Sequence, residues 1–190
     1  MATLNYLIVE LDVAYNNEVD ILEDQSIIVN STIESVSHIS RKAKVVEAPN
    51  FVIIQEGDEV IVHHNIFRLR NDTKGNLAQS NYYLGDNKYF VPLTEVFMYK
   101  RDSDWTCLEP YVFIQPIPLR EEETLLLGIK EEHKGMEHQK GLVAFNNKDL
   151  IDQGVKVGDE VAFSKNSEYE FDVDGKLYYK MKTRDILAVI

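Results

Sequence analysis

The segment Val155-Lys156-Val157-Gly158-Asp159-Glu160-Val161-Ala162-Phe163 contains a tetrapeptide that occurs twice in the chain. Gly158-Asp159-Glu160-Val161 repeats the earlier Gly57-Asp58-Glu59-Val60, and a short apolar run follows each copy. Gly and Asp are typical of tight turns, and an apolar run after such a turn is typical of a strand. Since Gly-Asp turns are common, the repeated tetrapeptide needs support from further landmarks.

Three further pairs of segments recur around these turns in the same order. They are Tyr6–Val9 with Tyr111–Ile114, Tyr89-Phe90 with Tyr178-Tyr179, and the apolar ends Val96–Met98 and Ile186–Ile190, which follow Thr94 and Thr183. Landmarks that keep one order indicate an internal repeat. A polar segment at 101–104 and Pro110 place the boundary between the copies, so we expect two modules at residues 1–102 and 109–190.

The apolar runs predict a mainly β protein. They are rich in β-branched and aromatic residues, and Gly, Asn and Asp separate them. Phe51–Ile54 is one such run, and Asp174-Gly175 predicts a hairpin turn. Helical turns are expected only at Asn147–Gln153 and Thr94–Met98. The polar segment Arg68–Asn87 of the first half has no counterpart in the second and predicts an inserted hairpin loop.

Composition and charge exclude several classes of function. The net charge of -12 argues against direct binding to a nucleic-acid backbone, and acidity of this kind commonly serves solubility. No stretch has the roughly 18 apolar residues that a membrane helix needs, and the first residues lack the pattern of a signal peptide. The single cysteine, Cys107, fits a reducing compartment, so we expect a cytoplasmic protein.

The sequence contains no set of residues that predicts catalysis or a metal site. His63 and His64 are adjacent and would point to opposite faces of a strand, and His133 and His138 lack a closed set of ligands. Cys107 has no obvious base beside it, and there is no glycine-rich phosphate loop. We therefore expect neither an enzyme nor a cofactor.

Residues Pro110 to Ile190 resemble the GroES-type co-chaperonin family, also called chaperonin-10. The quoted stretch Val155–Phe163 is similar to the family signature "VKVGD-hydrophobic-V-hydrophobic-F", and Thr183–Ile190 is similar to its ending "sDILAvi". Gly141–Ala144 is similar to the strand "GeVlAvG", without its last glycine. The first half resembles the family weakly, through the repeat. The resemblance implies two tandem GroES-like small irregular β-barrels, a divergent two-module form that a phage could encode.

The resemblance also implies a docking segment. In the family, a loop after the first strand carries a hydrophobic tripeptide that binds the apical domain of a GroEL-type chaperonin. Two apolar clusters within polar segments occupy that place in this sequence: Leu125, Leu126 and Leu127 in the second half, and Ile27, Ile28 and Val29 in the first. Such clusters suit a segment that orders on binding. Alternatively they are short buried strands, and Ile27–Val29 could pair with Thr32–Ile39 as a hairpin.

Two functions remain open from the sequence. The first is a co-chaperonin that forms a homo-oligomeric ring, caps a GroEL-type chaperonin and thereby encloses an unfolded client protein, while the partner hydrolyses ATP. The second is a GroES-like structural or assembly module, for example in a phage particle, that binds no chaperonin. The short connections at 46–57 and 146–154, where the family has a roof hairpin, and the inserted polar loop favour the second function. The terminal segment Ile186–Ile190 is expected to pair across a subunit or module edge.

Overall fold

The computed structural model describes residues 5–11, 13–14, 18–22, 25–28, 39–119 and 136–190. The chain divides into two compact units, Met1–Asp104 (unit 1) and Trp105–Ile190 (unit 2). Strands dominate both units, so the prediction of a mainly β protein is confirmed. No helix within the described ranges is both long and apolar enough to cross a membrane.

The described part of unit 1 contains ten complete strands. They are β1 (Tyr6–Glu10), β2 (Glu18–Leu22), β3 (Gln25–Ile28), β4 (Lys42–Glu47), β5 (Glu59–Val62), β6 (Arg70–Asn71), β7 (Leu77–Ala78), β8 (Tyr83–Gly85), β9 (Lys88–Pro92) and β10 (Val96–Arg101). Short 3-10 turns occupy His64–Ile66 and Leu93–Glu95. Strand β11 (Asp104–Cys107) spans the division between the units.

In unit 2 the described residues form six further strands and one short helix. They are β12 (Tyr111–Pro118), β13 (Met136–Phe145), helix α1 (Lys148–Asp152), β14 (Glu160–Phe163), β15 (Tyr169–Val173), β16 (Lys176–Lys182) and β17 (Ile186–Val189). A 3-10 turn at Thr183–Asp185 precedes β17. The helical turn expected at Asn147–Gln153 is confirmed by α1, whereas Thr94–Met98 is only partly helical, because β10 begins at Val96.

The main sheets of the two units share one strand order. Six strands of unit 1 follow one another as β10-β5-β4-β1-β9-β8, and the six strands of unit 2 follow as β17-β14-β13-β12-β16-β15. All these neighbours are antiparallel. The first strand of each unit therefore lies inside its sheet. β1 lies between β4 and β9, and β12 lies between the corresponding strands β13 and β16.

The registers of the two sheets also agree, and they correct two of the landmarks. Tyr6 of β1 lies opposite Pro92, and Tyr111 of β12 lies opposite Lys182. If Tyr6 corresponds to Tyr111, then Tyr89 corresponds to Tyr179. The sequence landmarks instead paired Tyr89 with Tyr178, one residue earlier. By the same count Thr94 corresponds to Arg184 and not to Thr183. A one-residue slip reverses the face on which a strand side chain lies, so the register decides this correspondence.

The two Gly-Asp turns have the same backbone hydrogen bonds. Gly57 N–H donates to the carbonyl of Val45 at 2.9 Å, and Gly158 N–H donates to that of Val143 at 2.8 Å. Both glycines have φ of 92°, a region that side chains of L-residues rarely adopt. The conformation therefore requires glycine in both turns.

Each unit buries its own apolar residues. In unit 1 the buried side chains include Leu7, Val9, Val45, Val60 and Phe67, each at most 1% exposed. In unit 2 one cluster joins residues of β12, β13, β14 and β16 with α1: Val112, Ile114, Val143, Leu150, Val155, Val161, Phe163, Tyr179 and Met181. Burial of this kind supplies most of the driving force for folding.

The structure tests two predictions about hairpins and one about a strand. The inserted loop at 68–87 is confirmed as a hairpin, in which β6 pairs with β7. The Asp174-Gly175 turn is confirmed, since it joins β15 to β16 with positive φ at both residues. The strand expected at Phe51–Ile54 is wrong: the segment is a turn and bend in which Phe51 and Ile53 are exposed.

Candidate functional site

The two proposed docking segments occupy the same place in the order of strands. In each unit they belong to the connection between the first strand of the sheet and the strand that pairs beside it, β1 to β4 in unit 1 and β12 to β13 in unit 2. Leu125, Leu126 and Leu127 lie outside the described residues, as does Val29. The sequence position of the two segments is therefore equivalent.

Ile27 and Ile28 lie in β3, which pairs with β2. The register places Val19 opposite Ile27 and Glu18 opposite Ile28 in a two-stranded sheet. The structure thus pairs β3 with β2, the strand that precedes it in the sequence. The alternative partner Thr32–Ile39 falls outside the described residues except for Ile39, which is buried.

Strand β17 presents an apolar edge. It is the last strand in the order of the unit 2 sheet and pairs with β14, where Val161 lies opposite Val189 and Ala162 opposite Ala188. The side chains of Leu187, Val189 and Ile190 are 64%, 51% and 60% exposed. An unpaired strand edge with exposed apolar side chains is a template for pairing with another chain.

The corresponding strand of unit 1 has the opposite pattern of burial. Val96, Phe97, Met98 and Tyr99 of β10 are all buried, although β10 pairs with β5 as β17 pairs with β14. The sequence of both ends is apolar, so the apolar pattern alone did not distinguish a buried strand from an exposed one.

A buried asparagine in unit 2 is hydrogen-bonded to the turn that precedes β17. Asn147 is fully buried, and its Oδ1 accepts a hydrogen bond from the Leu150 N–H as the N-cap of α1. Its Nδ2 donates to the Tyr111 carbonyl and to Thr183 Oγ1, both at 2.7 Å. One side chain thus joins α1, the start of β12 and the turn that precedes β17. The sequence interpretation missed Asn147, although an Asn before a short helical fragment is a recognisable capping signal.

The described histidines and acidic residues do not form a cluster that could hold a metal ion. No group of three potential metal ligands lies together in the described part of the chain. The expectation that His63 and His64 point to opposite faces is wrong, because a 3-10 turn begins at His64 and their rings stack at a centroid distance of 4.2 Å. His133 lies outside the described residues.

Cys107 is buried and chemically inert. Burial raises the pKa of its thiol far above the ordinary value, and the Sγ donates a hydrogen bond to the carbonyl of Phe145. Only a thiolate is strongly nucleophilic. The described environment therefore argues against a catalytic role for Cys107.

The comparisons with known proteins concern unit 2. Residues 111–190 match the family model Cpn10, described as Chaperonin 10 Kd subunit. No curated protein matches the chain. The matched residues begin with β12 and include β13, α1 and β14 to β17. Hence the main sheet of unit 2 is similar to the Chaperonin 10 Kd subunit, and this similarity supports a GroES-type fold.

Proposed function

We propose that this chain is a co-chaperonin that caps a GroEL-type chaperonin ring and assists the folding of an enclosed client protein. The observation that carries the proposal is the match of residues 111–190 to the Chaperonin 10 Kd subunit family. In this proposal the partner hydrolyses ATP, and the chain contributes binding without catalysis or a cofactor. A buried, unpaired cysteine suits the cytoplasm, where we place the partnership.

We also propose that the chain contains two GroES-like modules derived from one repeat, within residues 1–102 and 109–190. The shared strand order, the matching registers and the two Gly-Asp turns support this. The family match covers the second module, and the first is argued from its architecture. The divergent loops of the first module are consistent with a two-module form of the family.

The docking residues in this proposal are Leu125, Leu126 and Leu127, together with Ile27, Ile28 and Val29. Their support is the equivalent position in the two connections, each directly after the first strand of a sheet. A short apolar anchor binds weakly by itself. A ring that presents several anchors gains affinity because later contacts form at a high effective concentration.

Ring assembly in this proposal uses the edge of β17. Within the described residues the outer edge of β17 has no partner strand, and the exposed apolar side chains of Leu187, Val189 and the adjoining Ile190 favour association with a second copy of the chain. A homo-oligomer would present several docking segments to the chaperonin at once, as multivalent binding requires.

The test is capture of the chain by a purified GroEL-type chaperonin, measured by native mass spectrometry with and without ATP. We expect a complex that depends on the nucleotide and that Leu126→Asp abolishes, because a carboxylate cannot enter an apolar site without a large desolvation cost. Ile151→Asp is the matched control, since Ile151 lies on α1 with its side chain 59% exposed. Circular dichroism of both variants checks that they fold.

The outcomes separate the proposal from its alternative. Complexes that form with the wild type and with Ile151→Asp, and fail with Leu126→Asp, support the co-chaperonin. A stable oligomer that ignores both chaperonin and nucleotide contradicts it and supports a GroES-like assembly module. Equal capture of Leu126→Asp and wild type would refute the assignment of the docking segment.

A further inference from the structure

An open cleft of about 420 Å³ lies on unit 1 beside the β6–β7 hairpin. It is lined by polar and basic residues around one aliphatic side chain: Asn65, Arg68, Leu69, Arg70, Asn71, Ser80, Asn81 and Tyr82. No acidic residue lines it, although the chain has 32 Asp and Glu residues and a net charge of -12. The cleft is therefore a local basic site on an acidic protein.

The cleft is built by a segment that unit 2 lacks. In unit 2 only residues 164–168 separate β14 from β15, whereas residues 63–82 separate β5 from β8 in unit 1. The added segment is anchored in the core by Ile66 and Phe67, which are 1% and 0% exposed. An addition held rigidly at its base can position side chains for a ligand.

The hydrogen bonds of the segment fix the wall of the cleft. Arg70 Nε donates to the Gln79 carbonyl at 3.2 Å, and β6 pairs with β7 through Arg70 opposite Ala78. The buried Ser80 accepts a hydrogen bond from the Tyr82 N–H at its Oγ. This leaves the terminal nitrogens of Arg70 as donors at an exposed position.

Within the described residues, the two guanidinium groups are not neutralised by a short ion pair. Arg68 is half-buried, and its backbone N–H donates a hydrogen bond to the His64 carbonyl. Asp72 lies in the same hairpin, but its carboxylate accepts from the N–H groups of Asn76 and Lys74, each at 2.8 Å. The hydrogen bonds from Asn76, followed by that from Lys74, hold the pKa of Asp72 below its ordinary value, and the charge of Arg70 lowers it further. Asp72 therefore attracts Arg70 within the hairpin, but it does not line the cleft, and among the described residues it forms no short ion pair with Arg70.

We propose that this cleft binds a small ligand that carries an oxyanion, a phosphate or a carboxylate group, through Arg68 and Arg70. Guanidinium groups donate paired hydrogen bonds that match the geometry of both anions. The hydroxyl groups of Ser80 and Tyr82 and the amides of Asn65, Asn71 and Asn81 supply further donors and acceptors for the rest of the ligand. The proposal is independent of chaperonin binding.

The test uses the full chain labelled with nitrogen-15 and titrated separately with inorganic phosphate and with citrate at constant ionic strength. We expect the amide signals of Asn71, Asn81 and Tyr82 to shift with at least one of the two anions. Arg68→Gln should weaken that binding by about tenfold, because it removes a charge-assisted hydrogen bond. Among the described residues the hydrogen bond of Arg68 comes from its backbone and not from its side chain, so this variant should keep the hairpin folded.

Arg184→Gln is the matched control, because it removes the same charge from an arginine of unit 2 whose side chain is 78% exposed. It should bind the anion as the wild type does. Equal weakening by the two variants would show nonspecific attraction and would overturn the proposal, as would the absence of any shift with both anions. Binding of phosphate alone or of citrate alone supports it and identifies which oxyanion the cleft prefers.

Discussion

Asp58 and Asp159 occupy the same position in two matching turns and differ in one neighbour. Each carboxylate accepts a hydrogen bond at 2.8 Å from an N–H three residues before it, that of Gln55 or that of Lys156. Asp58 alone is also bound by Arg101, whose Nε and Nη2 donate to its two oxygens at 2.9 and 2.6 Å. Because Asp58 is only 5% exposed, this bidentate pair is partly shielded from water.

The pKa of Asp58 reflects opposing effects. Burial by itself would raise the pKa of the carboxyl, but the hydrogen bond and charge of Arg101 and the Gln55 N–H together hold the pKa below the ordinary 3.8. A carboxyl with a lowered pKa in the folded state stabilises the fold above its unfolded pKa. This contribution declines as the pH falls below about 3.8 and is lost once the pH passes the folded pKa.

We predict that Asp58→Asn destabilises unit 1 more than Asp159→Asn destabilises unit 2, by about 1–3 kcal/mol, because it leaves the Arg101 charge without its partner. Hydrogen exchange at the amides of Gly57 and Gly158 measures the two units separately, since both donate to equivalent carbonyls. The difference should vanish at a pH below the folded pKa of Asp58. Equal losses at neutral pH would show that the arginine contributes nothing.

Gly141 is required in β13 by the close approach of β12. A Cβ at this position would overlap Ile114 Cγ2 and lie 2.8 Å from the carbonyl oxygen of Gln115. The register makes Gly141 the counterpart of Ala43 in unit 1, where the position accommodates a small side chain. The two units therefore differ by one methyl group at this equivalent point of their sheets.

We predict that Gly141→Ala destabilises unit 2 by about 1–3 kcal/mol, because the strands must separate to accept the methyl group. Exchange of the Gly158 amide should accelerate while that of Gly57 stays constant. Gly75→Ala serves as the comparison in the other unit: its φ of 81° strains an alanine although the Cβ would meet no atom within 4 Å, and it should leave exchange of the Gly158 amide unchanged. A Gly141→Ala variant as stable as wild type would show that the sheet adapts without cost.

At the scale of elements, β17 combines a paired inner edge with an unpaired outer one. The Ile190 N–H donates to the Glu160 carbonyl of β14, and amides two residues apart along a strand point the same way. The amide of Val189 therefore points away from β14. This is a group that a further strand would use.

We predict that Val189→Pro prevents association between copies of the chain without unfolding unit 2, because proline removes an outward amide and keeps the inner ladder. Val189→Thr is the control, since it keeps the amide and the branched shape. Light scattering after gel filtration measures the mass of each variant. An oligomer that persists in Val189→Pro would exclude pairing through this edge.

The elements could be predicted from the sequence where the signal was local. The Gly-Asp turns, the Asp174-Gly175 hairpin and the inserted hairpin follow from turn residues whose conformational preferences are strong. The strand predicted at Phe51–Ile54 was wrong. Four apolar residues form a strand only where a partner strand pairs with them, and this segment lies in a connection. The exposure of Leu187–Val189 and the burial of Val96–Tyr99 could not be distinguished either, since burial depends on tertiary neighbours.

At the scale of the whole molecule, the internal repeat was the most informative property of the sequence. The two main sheets have the same strand order, which is consistent with the predicted repeat, although two of its landmarks were one residue out of register. The cleft at Arg68 and Arg70 could not be predicted, because its lining comes from three separated segments that meet only in the fold. The docking leucines stay a prediction from the resemblance.

The burial of Cys107 has a practical consequence for labelling. It is the only cysteine of the chain, and its raised pKa keeps the thiol protonated and slow to react with maleimides. A cysteine introduced at Thr73, at the exposed tip of the β6–β7 hairpin, would therefore take a single fluorophore without any need to remove the native thiol. Such a dye would lie on the same hairpin as Arg70 and could signal by its emission when the basic cleft is filled.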